Sequence, residues 1–326
     1  MAFNELFGLS IRKDIKIPDV LGCIGSVIFL LFVSNWLPFI GPFFSLLLPL
    51  PFLFYTSKLG VRRGLITVLI TLLAISVIVR LAGYPQIIII CLEFAIVGLV
   101  ISEIFRRELS FALTVFWGTL IMLLIGGIFL FVIGLTKGMG PIELILNYFV
   151  SNLNKTIGFY ENMGLEPDKV AQLKEYGKII SHVISQVYPA MLVIGTSFVI
   201  WLNVVVSRFI FRLGGIKYPD LGQIDRWQAP EFFVWVVIAA GFALFFKVTG
   251  LKFIAINVLI VLSVIYTFHG LSIVIFFFNK YKVPVWIRYG AYILIIVQQL
   301  FLIILALAGL FDNWIDFRKI HKKTVD

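Results

Sequence analysis

Apolar residues run in blocks of membrane length along almost the whole chain, and most ionic residues fall between the blocks. A bilayer core about 30 Å thick is crossed by roughly 20 apolar residues in a helix. Nine blocks are read as spans: 20–36, 39–56, 64–82, 86–104, 111–135, 183–207, 232–248, 253–278 and 286–311. The pattern predicts an all-α, polytopic transmembrane helix bundle of about nine spans. The block at 39–56 holds Pro42, Pro49 and Pro51. Each proline inside a helix removes a backbone donor, so this span is expected to be kinked or broken. A broken helix at membrane depth needs protein packed against it. If the block is re-entrant, the count falls to eight.

The segment 136–182 departs from the pattern. Glu143, Asn147, Ser151 and Asn154 recur at helical spacing, and Ile142, Ile145, Leu146, Phe149, Val150 and Leu153 fill the intervening positions. A polar stripe on an apolar rod predicts an amphipathic helix in the membrane interface, started by Pro141. A second helix is expected to start at Glu166-Pro167-Asp168, with acids at its positive end, and to run on into the sixth span. The insert is either a structured loop or a lid over an outward-facing cavity. The chain then divides into an N-terminal tail (1–19), a first bundle of five spans (20–135), an extracytoplasmic helical insert (136–182), a second bundle of four spans (183–311) and a C-terminal tail (312–326).

Composition agrees. Hydrophobic residues make up 61% of the chain and charged residues 13%. The mean hydropathy of +1.06 excludes an ordinary soluble domain. Basic residues in loops set the orientation. With the N-terminus in the cytoplasm, inner segments hold Arg12, Lys13, Lys16, Lys58, Arg62, Arg63, Arg106, Arg107, Arg208, Arg212, Lys217, Arg226, Lys280, Lys282 and Arg288. Nine spans then place the basic tail (Arg318, Lys319, Lys322, Lys323) outside, against the rule; eight would bring it inside but flip the loops between. The basic start resembles a signal peptide, yet no small-x-small cleavage site follows, so the first span is expected to be an uncleaved anchor. The net charge of +10 is scattered over several loops, which suits anionic lipid and not nucleic acid. Cys23 and Cys91 both lie in spans, and no disulfide is expected from them.

Ionic and amide groups within spans are the candidate site residues, because a charge at the bilayer centre costs at least about 2.5–3.5 kcal/mol. Arg80 ends the third span and Glu93 lies about two turns into the fourth. The short Gly83-Tyr84-Pro85 turn makes these helices antiparallel neighbours, so an Arg80–Glu93 pair is sterically allowed. It serves either as a clamp or, with one member exposed, as a substrate-binding pair. Asn257 and Gln298 are candidates for the same cavity, although such amides more often join helices. Asn203 and Gln299 are the other amides within spans. His269 is read as a packed side chain and not a metal ligand, since His182 and His321 lie far from it in this topology. No metal or cofactor site is expected. Gly22 and Ser26, four apart on the first span, form a small-xxx-small pair suited to helix docking, as do Gly60 and Gly64. No nucleotide-binding loop, nucleophile elbow or His-Glu-x-x-His pair is found, so no enzymatic activity is expected.

Two stretches carry a resemblance. Gly60-Val61-Arg62-Arg63-Gly64, at the start of the third span, and the closing run Leu307-Ala308-Gly309-Leu310-Phe311-Asp312-Asn313-Trp314-Ile315-Asp316-Phe317-Arg318-Lys319 resemble the YybS-like family of bacterial integral membrane proteins. The first six spans are further similar to the S components of energy-coupling-factor transporters. Those are six-helix proteins that bind vitamins or metals near the outer face. Their first helix docks a transmembrane coupling subunit through a small-xxx-small motif, which Gly22 and Ser26 match. The insert and three further spans depart from that pattern. The resemblance implies a solute-binding or transport subunit in the bacterial cytoplasmic membrane, working with a coupling subunit and its ATPases. The alternative is a non-transporting membrane scaffold whose basic loops recruit cytoplasmic partners.

Overall fold

The computed structural model describes residues 16–37, 40–164, 166–220 and 222–318, and these are helical with no strand among them. The fold class is therefore an all-α polytopic bundle. Among the described residues seven helices are long and apolar enough to cross a membrane, or eight if a bent pair near the C-terminus counts as one span. Arg12, Lys13, Lys319, His321, Lys322 and Lys323 lie outside the described residues. The chain forms two compact units, one of residues up to Ile125 with Gly195–Gly222, the other of Gly126–Ile194 with Gln223 onward. This division differs from the expected one, because the fifth span is divided at Ile125 and the latter half of the sixth joins the first unit.

In the first unit, α1 (Ile17–Trp36) begins with Pro18 in its first turn, where a missing N–H costs nothing. The second span is composite, as its prolines predict. α2 (Gly41–Ser45) and α3 (Pro49–Leu59) each carry a proline in the first turn, and the turn between them uses i→i+3 bonds. Leu50 N–H bonds to Leu47 O at 2.9 Å, which leaves Leu46 O without its helical donor. Asn203 supplies one, donating to Leu46 O at 2.8 Å. This span is the most enclosed of the seven, which meets the requirement that a broken helix be covered by protein.

Gly60, with φ of 87°, reverses the chain between α3 and α4 (Val61–Leu81). Four residues on, a Cβ at Gly64 would sit 2.6 Å from Thr56 Cα, so only glycine lets the two helices meet there. α5 (Ile87–Arg106) and the start of α6 (Phe111–Lys137) follow. Cys23, Val27, Phe52, Val68, Ile75, Cys91 and Ala95 fill one core cluster. Leu53, Ile101, Phe105, Ile200, Val204 and Phe211 fill another. Both cysteines are free and buried.

In the second unit, the insert forms the two expected helices, α7 (Pro141–Asn162) and the first part of α8 (Pro167–Leu213). Gly177 of α8 packs against Leu153 and Ile157 of α7, and Lys174 pairs with Glu161 at 3.4 Å. α8 continues as one 47-residue helix through the sixth span, with Pro189 inside it. Pro189 disturbs the helical ladder, and the pairing of Ala190 N–H with Gln186 O is replaced by a side chain. Asn257 Oδ1 accepts from Ala190 N–H at 2.9 Å, and Asn257 Nδ2 donates to Gln186 O at 2.7 Å.

α9 (Phe232–Ala243) has 12 residues, about 18 Å of helix, so the expected seventh span is too short to cross. α10 (Thr249–Lys280) is long enough. The expected ninth span is two helices, α11 (Val285–Val297) and α12 (Gln299–Ile315), bent by 102°. The break falls at Gln298, which is in an extended conformation within the polar Gln298-Gln299 pair.

Replacing Asn257 with leucine is expected to leave Ala190 N–H and Gln186 O buried and unpaired, at about 1–3 kcal/mol each. A fall in the thermal midpoint of the detergent-solubilised protein would register it, while Gly25→Ala, where a Cβ meets nothing within 4 Å, is expected to leave the midpoint unchanged.

Candidate functional site

The second unit buries a group of ionic side chains between α10, α12 and the 3₁₀ turn Ile224–Arg226. The approach of the helices creates it. A Cβ on Gly270 would collide with the backbone of Leu305, and one on Gly309 with Tyr266 O and Gly270 N. As the α12 number rises the α10 number falls, so the two helices run antiparallel. Asp312 lies three residues beyond Gly309 on the same helical face, and it lands on His269. Asp316 then ends α12 in the left-handed region, with φ of 44°. That turn brings Arg318 back over Asp312.

The side chains of His269, Asp312 and Arg318 are fully buried. Arg318 Nη2 donates to Asp312 Oδ2 at 2.8 Å and lies 2.9 Å from His269 Nε2. His269 Nε2 is 3.1 Å from the same Asp312 oxygen. Asp312 Oδ1 accepts from Phe317 N–H at 2.8 Å. Arg318 Nη1 faces three acceptors at 3.0 Å: Asp225 O, Trp227 O and Ser272 Oγ. Arginine thus ties the C-terminal segment to α10 and to the 225–227 stretch. Arg318 Nε and His269 Nδ1 are buried without a hydrogen-bond partner.

His269 was expected as a packed, hydrogen-bonded side chain, and it is one. Asp312 and Arg318 were missed, because both were assigned to a tail beginning at 312, whereas α12 runs on to Ile315. The available signal was an aspartate directly continuing an apolar block, with an arginine six residues later. Among the described residues no group of three or more His, Cys, Asp or Glu side chains could hold a metal ion.

In the first unit the described ion pairs gather at one end. Lys58, at the end of α3, pairs with Asp19, in the first turn of α1, at 2.5 Å, and Asp19 is only 3% exposed. Arg106 donates to Thr56 O at 3.2 Å, and Ser57 bonds Ser102 at 3.0 Å. Tyr218 donates to Val204 O at 2.7 Å. Burial pushes its phenol up to about 12, so it stays protonated. Ser57, Ser102, Arg106 and Lys217 help line a cavity of about 30 Å³. That is room for one or two waters, far below the hundreds of Å³ that a solute pocket needs.

The other expected site residues are placed as follows. Arg80 and Glu93 are both exposed, and no ion pair joins them. Asn257 spends both amide hydrogens on Gln186 O and Phe253 O, which makes it a helix clamp. Gln298 is exposed at the α11–α12 break. Gly22 is in contact with Tyr55 of α3. Ser26 returns its hydroxyl to Gly22 O at 2.7 Å and Cys23 O at 3.0 Å, so this pair serves packing within the unit.

Long apolar helices, a proline-broken span covered by protein and ion pairs buried in the protein define a multi-pass integral membrane protein. The chain belongs to the predicted membrane protein family DUF2232, which matches residues 23–313. That stretch takes in His269 and Asp312 and ends before Arg318. No curated protein and no solved structure matches the chain.

Removing one member of the buried pair strands the other charge. Arg318→Ala and Asp312→Ala are each expected to cost about 3–5 kcal/mol, read as a lower unfolding midpoint. The double variant Asp312→Leu/Arg318→Leu is expected to retain more stability than either single alanine. If the singles are as stable as the parent, the cluster does not hold α12 in place.

Proposed function

We propose that this protein is the solute-binding membrane subunit of a transporter, set in a bacterial cytoplasmic membrane and working with a separate coupling subunit and its ATPases. The observation that carries the reading is the makeup of the first unit. It gathers α1, α2 with α3, α4 and α5 whole, together with the first half of α6 and the end of α8, into one compact body, six spans in whole or in part. Its basic end, with Lys58, Arg62, Arg107, Arg208, Arg212 and Lys217, faces the cytoplasm by the positive-inside rule. Arg80 and Glu93 then lie toward the opposite side, exposed and without a mutual pair, as groups awaiting a polar solute would. Because Tyr55 occupies Gly22, the coupling subunit meets α1 on its outward strip of Leu21, Gly25, Phe29 and Phe32.

The gently purified protein is expected to retain a small molecule in native mass measurement and to bring down a coupling subunit with its ATPases. Arg80→Ala and Glu93→Ala are each expected to lower solute retention by about tenfold, the loss of one charged contact. Unchanged retention would remove both residues from the site. A partner crosslinked from Arg212, Lys217 or Arg226 with no dependence on solute would favour a scaffold that recruits cytoplasmic partners.

A further inference from the structure

His269 offers one in-plane position at Nε2, which carries either a hydrogen or a lone pair. Two groups of opposite demand reach for that position. Arg318 Nη2, 2.9 Å away, is always a donor and needs the lone pair. Asp312 Oδ2, 3.1 Å away, is an acceptor when ionised and needs the hydrogen. Both cannot be satisfied at once. With Nε2 bare, the two Nη2 hydrogens of Arg318 go to Asp312 and to His269, and the three groups are held together by the guanidinium. With Nε2 protonated, the ring donates to Asp312 and turns an N–H toward Arg318, so two donors face each other at hydrogen-bond distance inside a dry site.

We infer that His269 is a proton-binding site whose occupancy decides whether Arg318 stays locked. The bare ring keeps Arg318 on Asp312, His269 and the carbonyls of Asp225 and Trp227. A proton taken from water and bound at Nε2 transfers His269 to Asp312 and expels Arg318. No covalent bond between heavy atoms changes. Among the described residues, few titratable and charged groups surround the ring. They are Asp312 from α12, Arg318 from the segment after it, Tyr266 one turn earlier on α10, and Asp225 from the 3₁₀ turn, whose carboxylate faces Asn279 at 3.0 Å. The end of α12 is the element that the switch releases, because Phe317 N–H is held by Asp312 Oδ1 and Arg318 is its only described tie to the 225–227 carbonyls. The inference does not depend on the transport reading.

The chain has three histidines, so His182→Gln/His321→Gln leaves His269 as the single imidazole. With ¹⁵N-labelled histidine in lipid nanodiscs, the ring is expected to show an unprotonated Nε2 and a protonated Nδ1 at about pH 8. Both nitrogens are expected to be protonated at about pH 5. Amide exchange in 305–318, corrected for the intrinsic effect of pH, is expected to speed up across the same transition. In His269→Gln, which offers a donor and an acceptor that do not titrate, that pH response is expected to vanish. A protonated Nε2 at the higher pH, a ring that does not titrate between these values, or exchange that ignores the ring's transition would each overturn the inference. The ring measurement stands even if His269→Gln fails to fold.

Discussion

Inside a bilayer every backbone N–H and C=O must find a partner within the protein, and this structure depends on how it meets that demand where helices break. Two buried asparagines do the repair. Asn203 donates to Leu46 O, the carbonyl set free between α2 and α3. Asn257 inserts its amide between Ala190 N–H and Gln186 O beside Pro189. A carboxamide suits the task because it carries a donor and an acceptor on one rigid plane. The first repair lets the second span keep three prolines and still be the most enclosed of the spans. The second lets α8 run unbroken for 47 residues.

Charge is handled by the same economy of partners. Asp19 is buried against Lys58, and Asp312 against Arg318, so neither carboxylate meets lipid. A buried pair is weak evidence for stability as such, since desolvation offsets much of the attraction. Its effect here is positional. Arg318 reaches α10, α12 and the 225–227 carbonyls from one guanidinium, and so fixes where the C-terminal segment lies. The glycines at 270 and 309 are what make this reach possible, because they bring the two helix backbones into contact.

The membrane class, the proline-broken second span and the two helices of the insert were all legible, because each rests on a local cause: apolar length, a missing N–H, or a polar stripe at helical spacing. The expected seventh and ninth spans were less so. Hydropathy measures how apolar a block is, not whether its helix stays straight, and α9 stops at Ala243 while the chain bends at Gln298. The candidate site was the least legible part. Arg80 and Glu93 stood out as ions in apolar spans, yet they do not pair. Asp312 and Arg318 do pair, and were taken for tail charges because their partner His269 lies more than forty residues earlier.

What the sequence by itself determined is that the chain spans a membrane and roughly how many times. These follow from transfer free energy, which sums residue by residue along the chain. Only the tertiary structure decided which polar groups became repairs, which became ion pairs and which stayed exposed. Those roles depend on the approach of helices far apart in sequence, as when Gly309 closes on Tyr266 and sets Asp312 against His269.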